Sequence, residues 1–413
     1  MDKNKLIIYQ INPRMFTPQG TLRAAQELLP HLASVGVNVV YLFSICQEDD
    51  SEDRTYWSRR QKASGLDNPK NPYRISDYYA IDEEYGGEEQ LRGFVEAAHG
   101  LGMAVMMDIV YFHCSPNARI ITDVPDGIVR NERGEIELGE WSFPRLNFES
   151  RALRDYLVDN MCYWVREYGI DGFRCDVGDG IPLDFWAEAA LAARRLKPDL
   201  IMLNEGGNAE YVASGVFDMN YNGMGVVHSS VNHCDTIRCH GIPAYNGIWF
   251  VENHDTVTDS GRIETCHDSE VCDCFYVYLF TTRGTPLLYC GEEIGDRNPH
   301  NMFANKDHNR GYGVDWSNAL LPHGIRRKAL ITALAELRRS EDTLAYGDMA
   351  WLDTEEGVLG FTRRYKEETI TVLINFSDAP KAVPTGGEIL LSRGLESGRL
   401  EAHGLVISKR RKG

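Results

Sequence analysis

No apolar stretch in this chain approaches the ~18–20 residues that a membrane-crossing helix needs. The N-terminus runs Met1-Asp2-Lys3-Asn4-Lys5 straight into Leu6-Ile7-Ile8-Tyr9. It lacks the longer apolar core of a secretory leader, so a cytoplasmic location is expected. Positive charge is scarce: 43 Lys and Arg face 61 Asp and Glu, a net charge of −18. A surface of that sign repels nucleic acid and anionic membranes, so neither is expected as a partner. Paired C-x-x-C spacing is missing from the ten cysteines. Cys46, Cys114, Cys162, Cys175 and Cys290 sit in apolar or strand-like contexts and read as buried free thiols. His233-Cys234, Cys239-His240, Cys266-His267, Cys272 and Cys274 lie near one another without metal-ligand spacing, so no metal site is assigned to them. Internal repeats and low-complexity tracts are also missing, and so is an early phosphate-cradling glycine loop, which argues against a nucleotide-binding open sheet.

What the chain does have is length and alternation. Its 413 residues, 43% apolar and 25% charged, suit a large barrel with an appendage. Strand-like runs at 7–10, 37–43, 104–110, 169–174, 200–204, 216–219, 248–252 and 286–290 alternate with helical patterns such as 88–101, 152–168, 183–196 and 272–280. Eight such alternations predict an α/β fold, a (β/α)8 TIM barrel closed by a helix over 325–339. Two connections, 45–73 after the second strand and 113–147 after the third, are too long to be plain loops and follow strand C-termini, where barrel sites form. Short runs at 347–352, 358–365, 369–376 and 405–409 predict an antiparallel C-terminal β-domain. The expected division is therefore a catalytic barrel over 1–112 and 148–340, an inserted subdomain over 113–147, and a β-sandwich-like domain over 341–413. The basic tail Lys409-Arg410-Arg411-Lys412 reads as a solvated end.

Carboxylates recur where strands end: Asp108 after the third, Asp176 after Gly172-Phe173-Arg174-Cys175, Glu205 after Leu203-Asn204, and Asp255 after Phe250-Val251-Glu252-Asn253-His254. Several acids delivered to one rim are costly to bury unless paired or working. Such a set can surround one bond from two sides, as acetal cleavage with retention requires. Arg174 and Asp176 are two residues apart and share a strand face, so the guanidinium is expected to keep Asp176 ionised. Glu205 must hold a proton, and a neighbouring carboxylate such as Asp255 would help it do so. Asp108, Asp77 and Glu252 read as structural, Asn253 as a backbone-satisfying residue, and Trp57 and Trp141 as rim aromatics that either stack on a ligand or pack their own loops.

In order along the chain, these stretches resemble the conserved regions of the α-amylase family, glycoside hydrolase family 13. Ile8-Tyr9-Gln10-Ile11-Asn12-Pro13-Arg14-Met15-Phe16 is similar to its first strand. Asn71-Pro72-Tyr73-Arg74-Ile75-Ser76-Asp77-Tyr78-Tyr79 resembles its approach to the third barrel unit, and Gly284-Thr285-Pro286-Leu287-Leu288-Tyr289-Cys290-Gly291-Glu292-Glu293 its eighth strand. The resemblance implies a retaining α-glycosidase acting on an α-glucan or oligosaccharide. Asp176 would be the nucleophile, Glu205 the acid and base, and Asp255 the third acid on the sugar hydroxyls. Substrate binding would fall to Tyr73, beneath the ring, to His113 and His254, and to Arg174, which orients Asp176. The same residues serve transglycosylases and isomerases, so hydrolysis and transfer stay open. A non-catalytic sugar-binding relative would typically have lost one of the acids.

The chain departs from the family pattern at several positions. Phe112 stands where the family usually has a calcium-binding Asn, and an aromatic ring cannot ligate a hard cation; Asp123 and Asp126 are the remaining candidate ligands nearby. No cofactor is expected for the chemistry, and no metal ligand is assigned. Val177-Gly178-Asp179-Gly180 replaces the Lys-His of many starch-cleaving members. Lys70 stands where the exo-acting α-glucosidase branch has an Asp, which argues against that branch. No Arg closely follows Asp255, the nearest being Arg262.

Overall fold

The computed structural model describes residues 1–139, 141–221, 223, 225–242, 246–308, 311–384 and 386–411. Eight parallel strands close on themselves: β1 (Ile8–Ile11), β2 (Val39–Leu42), β3 (Ala104–Ile109), β4 (Gly172–Cys175), β5 (Ile201–Asn204), β6 (Met219–Tyr221), β7 (Gly247–Trp249) and β8 (Thr285–Tyr289), with β8 pairing back onto β1. This is the predicted barrel, and closure excludes the open sheet.

Period-two alternation sorts the side chains of each strand. Ile8, Val39, Tyr41, Ala104, Met106, Ile201, Leu203, Met219, Ile248 and Leu287 point inward and form one core cluster. Their neighbours, such as Tyr9, Val40, Val105, Phe173 and Met202, point outward into a second core under the helices. Among these helices are α1 (Gly87–Gly100), α2 (Arg151–Tyr168), α3 (Leu183–Leu196), α4 (Ser269–Thr281) and α5 (Pro322–Ser340). Gly172 stands inside the barrel where a Cβ would come within 2.6 Å of the Ile201 carbonyl, so the interior admits no side chain there.

Two strand assignments shift. The run at 169–174 begins too early, because Gly169 (φ 71°) caps α2 in the left-handed conformation and the strand starts at Gly172. The run at 216–219 precedes most of its strand: Phe217 packs outward on Trp186 and Tyr211, and β6 begins only at Met219.

The connection after β2 carries a short strand, Cys46–Glu48, paired antiparallel with Ile75–Ile81, and a one-turn helix, Arg59–Ala63. Residues 113–147 carry a one-turn helix, Ile120–Asp123, a 3-10 turn, Pro125–Gly127, and isolated bridges that include His113 with Arg145 and Leu138 with Pro144.

The C-terminal strands are β9 (Asp348–Trp351), β10 (Val358–Tyr365), β11 (Glu368–Asn375), β12 (Lys381–Ala382), β13 (Glu388–Glu396) and β14 (Arg399–Arg411). They form one antiparallel sheet in the order β9-β10-β11-β14-β12, with β13 also on β14. The sequence reading missed β12 and β13 and shortened β14. β13 has no fully buried residue, so its apolar pattern is faint. One face packs on α4, a helix buried all round. The other curls over a small core of Val358, Leu373, Val383, Leu400 and Val406. The basic tail is the end of β14, where Lys409 pairs with Glu341 and Arg411 with Glu368; Lys412 lies outside the described residues.

Asp273 on α4 ties these parts together. It accepts from Arg326 Nε (2.9 Å) and Arg327 Nε (2.5 Å) on α5 and from Arg393 on β13. Among the described residues no helix is long and apolar enough to cross a membrane.

Candidate active site

The inward register turns polar at the C-terminal rim. One step beyond the apolar layer, the positions that point inward are Gln10, Tyr41, Asp108, Arg174, Asp176, Glu205 and Tyr221. Asp108 and Arg174 are direct partners in the β3–β4 ladder. The fold therefore builds a polar cluster by continuing the alternation that builds its core.

Arg174, fully buried, organises the cluster. Its Nη1 donates to Asp108 (2.8 and 3.0 Å) and to Asp176 Oδ1 (2.7 Å), while Nη2 pairs with Glu205 Oε1. Asp108 also accepts from Tyr41 (2.9 Å) and Tyr73 (3.2 Å), the structural role expected of it. Asp176 and Glu205 lie within hydrogen-bond reach of each other.

Glu205 is fixed from a second side. Its Oε2 accepts from the backbone amide of Val177 at 2.8 Å. Val177 is left-handed (φ 47°, ψ 41°), a conformation that costs a β-branched residue about 1–2 kcal/mol. That turn aims its amide at the acid immediately after the Asp176 strand. Asp179 accepts from Asn204 Nδ2 (2.8 Å) and from the amides of Gly207 (2.9 Å) and Asn208 (3.0 Å), fastening the segment after Glu205.

Burial, opposed by Arg174 but reinforced by Glu205 and Asp108, pushes Asp176 well above the usual carboxylate range. This runs against the expectation that Arg174 would keep Asp176 ionised: three acids share one buried guanidinium, and desolvation outweighs it. Burial likewise lifts Asp108 to about 6 against the pull of Arg174. An acid in contact with Glu205 is Asp176.

Asp255 stands on the first turn of the helix His254–Ser260, whose capping box uses Asn253, so that residue does satisfy backbone groups. Burial would raise Asp255, but His254 and a cation that the sequence reading missed, Arg60, hold it below the usual range. Arg60 Nη1 donates to Asp255 Oδ1 (2.5 Å), Nη2 to the Asp255 carbonyl (2.9 Å) and Nε to Asp259 (2.8 Å).

His254 has its tautomer set by Gln10. Gln10 Oε1 accepts from the His254 amide, so its Nε2 faces the ring and donates to Nδ1 at 2.7 Å. The proton then sits on His254 Nε2, 2.6 Å from Tyr73 Oη and 3.2 Å from Asp255 Oδ2. Burial lowers His254 to about 3 and His113 to about 4, so both are neutral. His113 Nε2 donates to the Tyr73 carbonyl (2.9 Å), while its buried Nδ1 has no protein partner.

The seven residues assigned from sequence thus converge on one rim. Tyr73, His113, Arg174, Asp176, Glu205 and Asp255 line a cavity of about 150 Å³, and His254 lies directly behind Tyr73 and Asp255. Trp141 lines it too. Trp57 does not: it is buried under Arg54 and donates to the Ser51 carbonyl, so it packs its own loop. Phe112 packs against Trp141 and under Arg145, leaving no oxygen ligand at that position. Asp126 accepts from Ser150 Oγ (2.7 Å), and Asp123 is exposed near Arg119 (3.9 Å). A calcium site at this position does not fit these residues. Among the described residues no group of three or more His, Cys, Asp or Glu side chains is placed to hold a metal ion, and the ten cysteines are free thiols.

Fold and site together define a (β/α)8 barrel protein with a carboxylate cluster at the C-terminal rim of its strands. The family model for the α-amylase catalytic domain matches residues 4–133. A cyclomaltodextrinase of Geobacillus thermopakistaniensis is 26% identical over 88% of this chain and 63% of its own length. A maltogenic α-amylase of Bacillus acidopullulyticus is 27% identical over 87% of the chain and 63% of its own. The crystal structure of an α-amylase from Lactobacillus plantarum superposes with a TM-score of 0.78 at 23% identity, covering 98% of this chain and 99% of that one. These matches make the chain similar to the α-amylase family, glycoside hydrolase family 13. It spans 56–63% of the length of the first curated relatives it matches.

Proposed function

We propose that the chain is a retaining α-glycoside hydrolase that cleaves α-glucosidic bonds of maltodextrins or related oligosaccharides. The observation that carries this reading is the close pair Asp176 and Glu205 on a single guanidinium. Retaining enzymes hold their two carboxyls about 5–5.5 Å apart, whereas inverting ones need roughly 6.5–9.5 Å to admit a water. A pair within hydrogen-bond reach matches the closer, retaining spacing.

Attack requires Asp176 ionised and a proton on Glu205. Ionised Asp176 then adds to the anomeric carbon as the bond to the leaving oxygen breaks, and Glu205 gives its proton to that oxygen. The product is a glycosyl ester on Asp176. Water enters, Glu205 takes one of its protons, the remaining hydroxyl attacks the same carbon, and the ester breaks to restore both acids. Asp255, kept anionic by His254 and Arg60, accepts from sugar hydroxyls and balances the cationic transition state. His113 offers Nδ1 to the ring, and Tyr73 offers its face.

The acid pair supplies both the nucleophile and the proton, so the reaction needs no cofactor. The ten free thiols, and 24% identity to an intracellular maltogenic amylase of Bacillus subtilis, support a cytoplasmic setting. The test is to trap the ester with a 5-fluoro-α-glucosyl fluoride and map the labelled peptide. A label on Asp176 is expected, and a label elsewhere, or none despite turnover, overturns the assignment. Adding an acceptor sugar during turnover separates hydrolysis from transfer by the products formed.

A further inference from the structure

The barrel order fixes which way a sugar must lie. Asp176 and Glu205 follow β4 and β5, and in the closed ring of eight the strands opposite them are β8 and β1. In a pyranose, C4 lies across the ring from C1. A ring lying across the barrel mouth with its anomeric carbon at the acid pair points its C4 hydroxyl at the connections after β8 and β1.

That end of the cavity is walled. Met302 and Phe303, from the connection after β8, line it and are both buried. Arg60, from the connection after β2, reaches over them. Its Nη1 sits 3.9 Å from Met302 Sδ while bonded to Asp255, and its other nitrogens are taken by the Asp255 carbonyl and Asp259. Asn68 Nδ2 donates to the Phe303 carbonyl at 2.9 Å, and the Met302 amide donates to Thr258 Oγ1 at 3.1 Å. The guanidinium is held at four points, so the wall is bolted across the barrel seam. Lys70, whose place in the family pattern argued against the exo-acting α-glucosidase branch, is turned to Asp82 at 2.5 Å and is not part of this wall. The closure therefore rests on other residues than that branch's Asp. The cavity of about 150 Å³ is half the lower end of the ~300–1,000 Å³ usual for ligand pockets.

The geometry points to an exo-acting pocket: it takes one terminal glucosyl group, closed at C4 by Arg60, Met302 and Phe303, and the chain works inward from non-reducing ends. This inference rests on the glycosidase reading and adds where along the substrate the cut falls.

The test uses 4-nitrophenyl α-maltoheptaoside, open or bridged by an ethylidene group on O4 and O6 of its terminal glucose, together with β-cyclodextrin, which has no end. The open substrate should yield glucose and nitrophenyl maltohexaoside as first products. The bridged one should react about a hundredfold or more slowly, and the ring should stay closed. Arg60→Ala should add maltose to the first products, and Met302→Ala reads the same wall if the first variant fails to fold. Equal turnover of the bridged substrate, ring opening, or internal fragments overturns the exo assignment and leaves the hydrolase reading standing. Glucose alone from both variants overturns the wall. No turnover of any substrate overturns the hydrolase reading and this inference with it.

Discussion

Replacing Arg174 with Gln tests the electrostatics of the site most directly. The substitution leaves Asp108, Asp176 and Glu205 facing one another with no guanidinium between them. Removing one partner of a buried ion pair costs about 3–5 kcal/mol. The sign with pH follows from the carboxyls. Asp108 already stands at about 6, above its ordinary 3.8, and Asp176 is raised as well. An acid raised in the folded state binds its proton more tightly there, so its destabilisation is full above the folded value and fades as pH falls through it. Without Arg174 both move further up. The deficit is therefore large near about pH 8 and shrinks near about pH 5, where the carboxyls are protonated. At roughly 2.1 cal/mol/K per residue, 413 residues unfold with an entropy of about 0.9 kcal/mol/K, so the loss near about pH 8 is a fall of roughly 3–6 °C in Tm. Calorimetric melts of both proteins at the two pH values read it. A deficit that is equal at both, or greater in acid, refutes the reasoning.

Activity has its own pH signature. Asp176 must be ionised to attack, so kcat/KM falls in acid with a midpoint well above 3.8, and a rate profile with its acid limb at or below that value contradicts the crowded-acid account. Gly178→Ala puts a Cβ 2.0 Å from Asn204 Oδ1, next to Glu205; a loss of about 1–3 kcal/mol in urea denaturation and a drop in kcat are expected. Asp273→Asn strips the charge shared by three arginines. It should cost about 3 kcal/mol or more and speed hydrogen exchange along β13 and α4, since Arg393 then loses its hold on the barrel.

The barrel was readable because its strands are buried on both faces and so appear as short apolar runs between amphipathic helices. The acids were readable because each ends such a run. What escaped was long-range or exposed. Arg60 follows another arginine in Ser58-Arg59-Arg60-Gln61, and nothing local distinguishes it; its role comes from a contact across 195 positions. The left-handed turn at Val177 is hidden by a residue type that disfavours it. β13 is half solvated and shows no alternation. The shift of β6 arose because Phe217 is apolar for the outer layer and not for the strand.

Arg60 and Met302 are 242 positions apart in the chain, yet they form one side of the cavity. A polypeptide still emerging from the ribosome, with β1 to β7 paired, owns every acid of the cluster but has an open gap where the eighth strand belongs. Met302 and Phe303 thus join the site after its acids, and contacts of such sequence separation are slow to form. Everything after residue 290, from Met302 and Phe303 to the helix Pro322–Ser340 and the C-terminal sheet, is added to a chain that already carries its acids.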